Sequence, residues 1–259
     1  MFIEERHQSI LDIIKENGRI SIGEIQEKFD VSVDSARRDL RILEEKGLLK
    51  RTHGGAIPIR QIGFSKPPKM TARDIPEIKE NYFAIAMKAL SLIHENDVIF
   101  LTSATVGYFM AQNLPKDIRL TVVTNSIIIA EELRKYDNIN VIMVGGEMDD
   151  KGNCYDNFAI EFIKSLRFDF SFITAACISA DFGVSIQKSK GVGFIKAVIE
   201  SSKCSVGLFP TEKIGFESII KICPADSLNK LITDWDAPEE ELSKFDKLGI
   251  EIIVVEKED

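Results

Sequence analysis

The first sixty residues carry apolar positions at helical spacing in three short segments. The first segment predicts a helix over residues 4–17, which ends at Gly18. A second helix is expected to begin at Ser21, because Ser21 and Glu24 form the pattern of a capping box. A third is expected to begin after Ser32, a typical N-cap residue. Its apolar positions share one side and are Val33, Ala36, Leu40 and Leu43.

The opposite side of the third helix is polar and cationic. Two short helices joined by a tight turn, with such residues near the start of the second, are typical of a helix-turn-helix, whose second helix enters the major groove. Residues 48–57 then predict a strand, a glycine turn and a strand, which is a wing lying near the phosphate backbone. The residues expected to contact DNA are Ser32, Ser35, Arg37, Arg38, Arg41, Lys50, Arg51 and His53.

The distribution of charge supports this interpretation. The whole chain of 259 residues carries a net charge of −8, which excludes a uniformly polybasic nucleic-acid binder. Residues 1–30 hold four basic and seven acidic residues, whereas residues 31–60 hold seven basic and four acidic ones. The cationic half is thus the half expected to contact DNA. Taken alone, the pair Arg37-Arg38 is also typical of a solvent-exposed amphipathic helix. The whole series of helix caps, arginines and Gly-Gly wing is more specific for a DNA-binding module.

Three consecutive motifs carry a family resemblance: Val31-Ser-Val-Asp-Ser-Ala-Arg-Arg-Asp-Leu40, Leu43-Glu-Glu-Lys-Gly47 and Arg51-Thr-His-Gly-Gly-Ala56. Together they resemble the DNA-binding signature of DeoR-type bacterial transcriptional regulators. The resemblance implies a winged helix-turn-helix that binds operator DNA. One departure is Ala36, where members of that family usually carry a larger aliphatic residue.

Periodicity disappears between Pro58 and Glu77, where prolines interrupt any regular element. We therefore predict a DNA-binding domain over residues 1–58, a linker over 59–76 and a second domain over 77–259. The second domain is expected to open with a helix over residues 77–94.

Short apolar runs alternate with helical segments through the second domain. Seven strands are predicted, over residues 98–101, 120–123, 140–144, 170–174, 205–209, 230–233 and 251–255. Helices are predicted between several of them, over residues 126–135, 158–165, 193–202 and 238–248. Nearly continuous apolar strands joined by helices indicate an α/β domain with a mostly parallel sheet covered on both faces.

Ligands of such sheets bind beyond the carboxyl ends of the strands. Three loops there combine hydroxyl groups, helix starts and a Gly-Gly pair, and a lysine further on adds a point charge suited to a phosphate. The candidate effector-binding residues are Thr102, Ser103, Ala104, Thr105, Thr124, Asn125, Ser126, Gly145, Gly146 and Lys213. Each has a structural alternative, since such residues also serve as helix caps, turns or surface groups.

The resemblance extends over nearly the whole chain, because five further motifs look like the sensor domain of the same regulators: Thr121-Val-Val-Thr-Asn-Ser126, Val144-Gly-Gly146, Phe182-Gly-Val184, Lys213-Ile-Gly215 and Ile232-Thr-Asp234. It implies a fold similar to ribose-5-phosphate isomerase and glucosamine-6-phosphate deaminase. It also implies that a phosphorylated sugar or related metabolite controls operator affinity.

The sequence departs from that family where the ligand is expected. The first loop reads Thr102-Ser-Ala-Thr-Val106 instead of Asp-Ser-Gly-Thr-Thr. A later glycine is replaced by Asp156 or its neighbour, and Pro210 and Glu212 replace an aspartate and a serine before the lysine. Carboxylates at 156 and 212 would oppose an anion, so the ligand is expected to be atypical or the pocket unused.

Two alternatives keep the same architecture. In one, the second domain is an isomerase or deaminase-like enzyme whose proton-transfer groups are Asp149, Asp150 and Asp156. These loops contain no histidine and no paired base, so we expect no enzyme activity. In the other, the second domain is only an oligomerisation scaffold.

Other classes of partner find no support in the sequence. The four cysteines and three histidines do not form a metal-site pattern, and there is no Walker sequence or complete dinucleotide fingerprint, so we expect no metal and no cofactor. The charged start and the lack of a long apolar run predict a cytoplasmic protein with no membrane segment. A homo-oligomer is expected, because one small recognition helix gives little specificity alone.

Overall fold

The computed structural model describes residues 3–58 and 80–257. We call these the N-terminal module and the C-terminal module. The linker predicted over residues 59–76 lies outside the described residues. Within the described ranges, none of the helices has both the length and the apolar character needed to cross a membrane.

The N-terminal module consists of three helices and a small antiparallel sheet. The helices are α1 (Ile3–Asn17), α2 (Ile22–Phe29) and α3 (Val33–Glu45). The strands are β1 (Ile20–Ser21), β2 (Leu49–Arg51) and β3 (Gly55–Pro58), in the order β1-β3-β2. Helices α2 and α3 form the helix-turn-helix, and β2 and β3 form the predicted wing.

Local caps fix the ends of α2 and α3 where the sequence predicts them. Ser21 and Glu24 form the complete capping box at the start of α2. Ser32 accepts a hydrogen bond from the Ser35 backbone N–H at the start of α3. Beyond α3, Gly47 has φ = 67°, a left-handed conformation that glycine adopts without steric cost.

A buried carboxylate fixes the rotation of α3 against α1. Asp39 is 2% exposed and accepts hydrogen bonds from Arg6 Nε at 2.7 Å and Arg6 Nη2 at 3.2 Å. His7 Nε2 lies 3.1 Å from Asp39 Oδ1, the oxygen that also accepts from Arg6 Nη2. The Asp39 hydrogen bond is the main reason that the pKa of Arg6 is raised, against a smaller opposing effect of burial. Helix α3 therefore turns Asp39 and Leu40 inward.

The predicted apolar stripe of α3 is right in most positions. Ala36, Leu40 and Leu43 are buried with Ile10, Ile25 and other apolar residues of the module. Val33, the fourth predicted position, is only partly buried at the first turn. The small Ala36 is itself fully buried in this cluster.

The C-terminal module is built on a seven-stranded sheet in which every pairing is parallel. Its strands are β4 (Val98–Leu101), β5 (Leu120–Thr124), β6 (Ile139–Met143), β7 (Phe168–Ile173), β10 (Ser202–Leu208), β12 (Lys230–Thr233) and β13 (Glu251–Val254). Their order is β13-β12-β10-β7-β4-β5-β6. These are the seven strands that the sequence predicts, with ends shifted by up to three residues.

Helices cover both faces of this sheet. They are α4 (Glu80–Leu90), α5 (Thr105–Gln112), α6 (Ile127–Leu133), α7 (Asn157–Lys164), α8 (Val192–Glu200) and α9 (Glu239–Lys247). One large apolar cluster includes residues of α4, α5 and α6, and a second includes residues of α7, α8 and α9. The predicted α/β class with a covered parallel sheet is confirmed.

The sequence analysis missed a second sheet in this module. The strands β8 (Cys177–Ser179), β9 (Gly183–Ile186) and β11 (Ile220–Cys223) pair antiparallel in the order β11-β9-β8. Their runs of three or four residues are too short to stand out by periodicity.

We expect Asp39→Asn to destabilise the protein by about 2–3 kcal/mol, because it leaves the partly buried Arg6 without its counter-charge. Urea unfolding followed by circular dichroism measures this change. Glu45→Gln, at an exposed position near the end of the same helix, is the matched control. Equal stability of both variants would contradict the anchoring role of Asp39.

Candidate functional site

The outward side of α3 presents three guanidinium groups to solvent. Arg37, Arg38 and Arg41 are all exposed, and none has a hydrogen bond or ion pair within residues 3–58 and 80–257. Ser32 and Ser35 sit at the start of the helix with their hydroxyl oxygens 3.0 Å apart. The two serines thus lie at the amino end of α3, and the three arginines follow further along the same helix.

The wing residues are arranged differently from the arginines of α3. Arg51 is held within the N-terminal module, since its Nε donates to Glu44 Oε2 at 2.6 Å and its backbone N–H to Glu44 Oε1 at 2.8 Å. Burial alone would raise the pKa of Glu44, but these two hydrogen bonds outweigh it and leave that pKa lowered.

Lys50 and His53 lie near acidic side chains of the C-terminal module. Lys50 Nζ lies 3.8 Å from Glu241 Oε1, and His53 Nδ1 lies 3.6 Å from Glu239 Oε1. The His53 side chain is still 75% exposed and that of Lys50 33% exposed. The contact of these two side chains with DNA phosphate stays a prediction.

A first polar cluster lies at the carboxyl ends of β4 and β5. Ser103 Oγ is 2.9 Å from the hydroxyl of Tyr155, and Asn125 also bonds that hydroxyl. Burial is the main reason that the pKa of Tyr155 is raised. Asn125 Nδ2 donates to the Cys154 carbonyl at 3.0 Å. Ser103 and Asn125 come together as predicted, around a tyrosine that the sequence analysis did not select.

Other residues predicted for this cluster have visible structural roles. Thr124 Oγ1 donates to the Leu101 carbonyl at 3.1 Å and accepts from the Ser126 backbone N–H at 3.2 Å, so it joins the ends of β4 and β5. Ala104 is the N-cap of α5 and makes no side-chain cap bond, while Thr102 donates its backbone N–H to Phe172. Thr105 is buried at the first turn of α5.

One polar atom next to this cluster has no partner. Asn153 is 5% exposed, forms an isolated bridge with Ser126, and its Oδ1 has no hydrogen-bond donor in the part of the chain that the structure describes. A buried acceptor in this state costs free energy unless another group or a water satisfies it. Asn153 was not selected from the sequence.

A helix cap explains the second glycine of the Gly-Gly pair, whereas a Cβ on Gly145 would meet nothing within 4 Å in the described residues. Gly146 has φ = 143°, and a Cβ there would lie 2.6 Å from a carboxylate oxygen of Asp156. Asp156 caps α7 by accepting from the Ala159 backbone N–H at 2.9 Å, and it also accepts from the Glu147 backbone N–H. The Glu147 hydrogen bond is the largest reason that the pKa of Asp156 is lowered. Its charge is thus already engaged by the backbone.

A second polar cluster lies at the ends of β7, β10 and β12, around Lys213. Lys213 Nζ donates to Thr174 Oγ1 at 3.2 Å and lies 5.8 Å from the centre of the Tyr82 ring. The fully buried Asp234 accepts from Thr211 Oγ1 at 2.6 Å and from Asn81 Nδ2 at 3.1 Å.

The sequence analysis missed Asn81, Thr174 and Thr211 in this second cluster. A polar residue directly after an apolar strand is the signal that would have found Thr174. Because β5, β4, β7, β10 and β12 are consecutive in the sheet, both polar clusters lie along one edge.

The carboxylates of the enzyme alternative do not form a proton-transfer pair. Asp149 Oδ1 accepts from the backbone N–H groups of Lys151 and Asn153, Asp156 caps α7, and Asp150 is exposed. Within the described residues, no group of three or more histidine, cysteine or acidic side chains is placed to hold a metal ion.

An exposed arginine side on a winged helix-turn-helix, joined to a parallel α/β module with polar strand ends, defines a DNA-binding regulator with a ligand-sensing module. Models of known families match both parts: a DeoR-like helix-turn-helix domain over residues 6–61 and a DeoR C-terminal sensor domain over residues 79–235. The chain belongs to the DeoR family of transcriptional regulators.

Relatives of similar length are also transcriptional regulators. The chain is 30% identical over 260 residues to the HTH-type transcriptional repressor GlcR of Bacillus subtilis, covering 100% of this chain and 99% of GlcR. It is 28% identical over 235 residues to the L-fucose operon activator of Haemophilus influenzae, covering 90% of this chain and 93% of the activator. A ribose 5-phosphate isomerase from Methanocaldococcus jannaschii superposes over 51% of this chain and 53% of its own, at 13% identity and a TM-score of 0.38.

We expect Asp156→Asn to lower the melting temperature at neutral pH, because it removes the charge that the backbone N–H groups stabilise. The lowered pKa of Asp156 means that this stabilisation is present well above the ordinary value of 3.8 and is lost as the pH falls through the folded-state pKa. Melting curves of both proteins at a series of pH values should therefore converge in acid. Asp150→Asn, at an exposed carboxylate in the same loop, is the control. A difference that does not depend on pH would contradict this assignment.

Proposed function

We propose that this regulator represses a carbohydrate-metabolism operon, with α3 in the major groove and the wing on the phosphate backbone. The exposure of Arg37, Arg38 and Arg41, with no acidic partner in the part of the chain that the structure describes, is the observation that carries the proposal. Unpaired guanidinium groups on a solvent-facing helix suit bidentate contacts with guanine bases and charge-assisted contacts with phosphates. Lys50, Arg51 and His53 would hold the backbone, and Ser32 and Ser35 would position the start of the helix.

A phosphorylated sugar or related metabolite is the proposed effector. Lys213 supplies a cationic group at the second polar cluster, and Ser103 with the start of α5 supplies hydroxyl and backbone N–H donors at the first. The unpartnered Asn153 Oδ1 adds an acceptor suited to a sugar hydroxyl. The effector-binding residues remain those selected from the sequence, with Tyr155 and Asn153 added.

The assembly that we propose is a homo-oligomer acting in the cytoplasm, with residues 1–58 as the DNA-binding domain and 77–259 as the sensor domain. Two α3 helices reading two half-sites supply specificity that one helix lacks. A coupling of about 1–3 kcal/mol between effector and operator is enough for a switch.

We expect alanine at Arg37, Arg38 or Arg41 to weaken operator binding by about 1–3 kcal/mol each. Fluorescence anisotropy, with a duplex enriched from a random library by the wild-type protein, measures this loss. If the arginine contacts a base, its alanine variant should lose affinity for that duplex alone. If it contacts phosphate, its variant should lose affinity for all DNA and show a weaker dependence of binding on salt.

Arg134→Ala, at an exposed arginine of the C-terminal module, is the control for the loss of one positive charge. Wild-type affinity in all three variants of α3 would overturn the proposed DNA interface.

We expect a phosphorylated sugar present at 100 times its dissociation constant to stabilise the protein by about 2.7 kcal/mol. Thermal-shift measurement across a panel of such compounds detects this effect. Lys213→Gln should abolish the shift, while Lys116→Gln, at an exposed lysine beyond the other end of the sheet, should retain it. Unchanged melting of the wild-type protein across the whole panel would favour the scaffold alternative.

A further inference from the structure

The wing packs against an acidic segment of the C-terminal module. Residues 234–241, which form the connection after β12 and the first turn of α9, contain five carboxylates and no basic residue. Three of these carboxylates face basic side chains of the N-terminal module. We call Asp236, Glu239 and Glu241 the acidic lip.

Each member of the acidic lip lies near a basic side chain of the N-terminal module, although Glu241 Oε1 also accepts from Lys244 Nζ of its own helix at 2.7 Å. Arg19 Nη1 donates to Asp236 Oδ2 at 3.0 Å, and the Arg19 guanidinium lies 5.6 Å from the centre of the Trp235 ring. Lys50 and His53 approach Glu241 and Glu239 as described above. Burial raises the pKa of Asp236, and the Arg19 charge opposes that rise.

Apolar and close backbone contacts accompany these ion pairs. Ile57, at 1% exposed, is buried with Cys177 and Phe216 of the C-terminal module. A Cβ on Gly54, at the tip of the wing, would lie only 3.0 Å from Asp236 Oδ1. The wing therefore packs directly against this surface of the C-terminal module.

Two of these three basic side chains, Lys50 and His53, are among those proposed to contact DNA phosphate. A lysine held close to a carboxylate is less available to a phosphate, and the neighbouring carboxylates repel the phosphate backbone. Among the described residues, the arginines of α3 have no such partners, so the lip affects the wing and leaves the recognition helix exposed.

We propose that the acidic lip is a docking site for the wing of the same chain and competes with DNA phosphate for Lys50 and His53. The docked arrangement is a low-affinity state, and the wing must leave the lip before it can contact the duplex. This inference rests on the proposed role of the wing in DNA binding.

The double variant Asp236→Asn/Glu239→Gln tests this competition directly. Removing two lip charges should increase affinity for a mixed-sequence duplex about three- to tenfold and make binding more dependent on salt, because the wing is released to contact phosphate. The matched control is Glu131→Gln/Glu161→Gln, which removes two charges from exposed pairs on α6 and α7. An equal gain in both double variants, or no gain in the lip variant, would overturn the proposal.

Lys50→Gln separates failure of this inference from failure of the proposed function. If the wing contacts phosphate, Lys50→Gln lowers affinity for the duplex. Loss of affinity in Lys50→Gln with no gain in the lip variant removes the docking inference and leaves the DNA-binding role of the wing intact. Unchanged affinity in Lys50→Gln removes both.

A crosslink gives a second readout that does not depend on charge. In the variant Gly54→Cys/Asp236→Cys, oxidation with diamide should join the wing to the lip within one chain and lower affinity for the duplex, and reduction should restore it. The two single variants, oxidised in the same way, control for the native cysteines. Failure to form the crosslink, or unchanged DNA affinity of the fully crosslinked protein, would contradict the proposal.

Discussion

The arginine side of this regulator depends on a single buried carboxylate. Asp39 lies next to two arginines in the sequence, yet it points inward to Arg6 and His7 while Arg37, Arg38 and Arg41 point outward. Helical geometry separates the two sides, and the ion pair fixes which side faces α1. Because the pair is buried, α3 cannot rotate without exposing Leu40 or leaving a charge uncompensated.

The same kind of constraint organises the polar edge of the C-terminal module. The buried Asp234 fixes the Thr211 turn through two hydrogen bonds, and that turn carries Lys213. Two residues beyond Lys213, Gly215 lies beside Lys50, and Asp236 follows Asp234 by two residues. The candidate effector cluster and the wing contacts therefore involve the same two short segments of backbone.

Periodicity and capping predict most of the fold, for reasons visible in particular residues. The seven strands of the parallel sheet each contain a short apolar run, and Ser21, Ser32 and Gly47 mark helix ends by local chemistry alone. The short strands β8, β9 and β11 lack such a signal. A local sequence pattern also cannot show which side chains meet between the two modules. The sequence therefore predicts that Lys50 and His53 lie on the wing, but not that Glu241 and Glu239 lie near them.

The most direct test of this account is a structure of the full chain bound to its operator duplex. The account predicts α3 in the major groove, with the guanidinium groups of Arg37, Arg38 and Arg41 within hydrogen-bond distance of base edges or phosphates. A complex in which α3 lies away from the duplex, with these three side chains still in solvent, would contradict it.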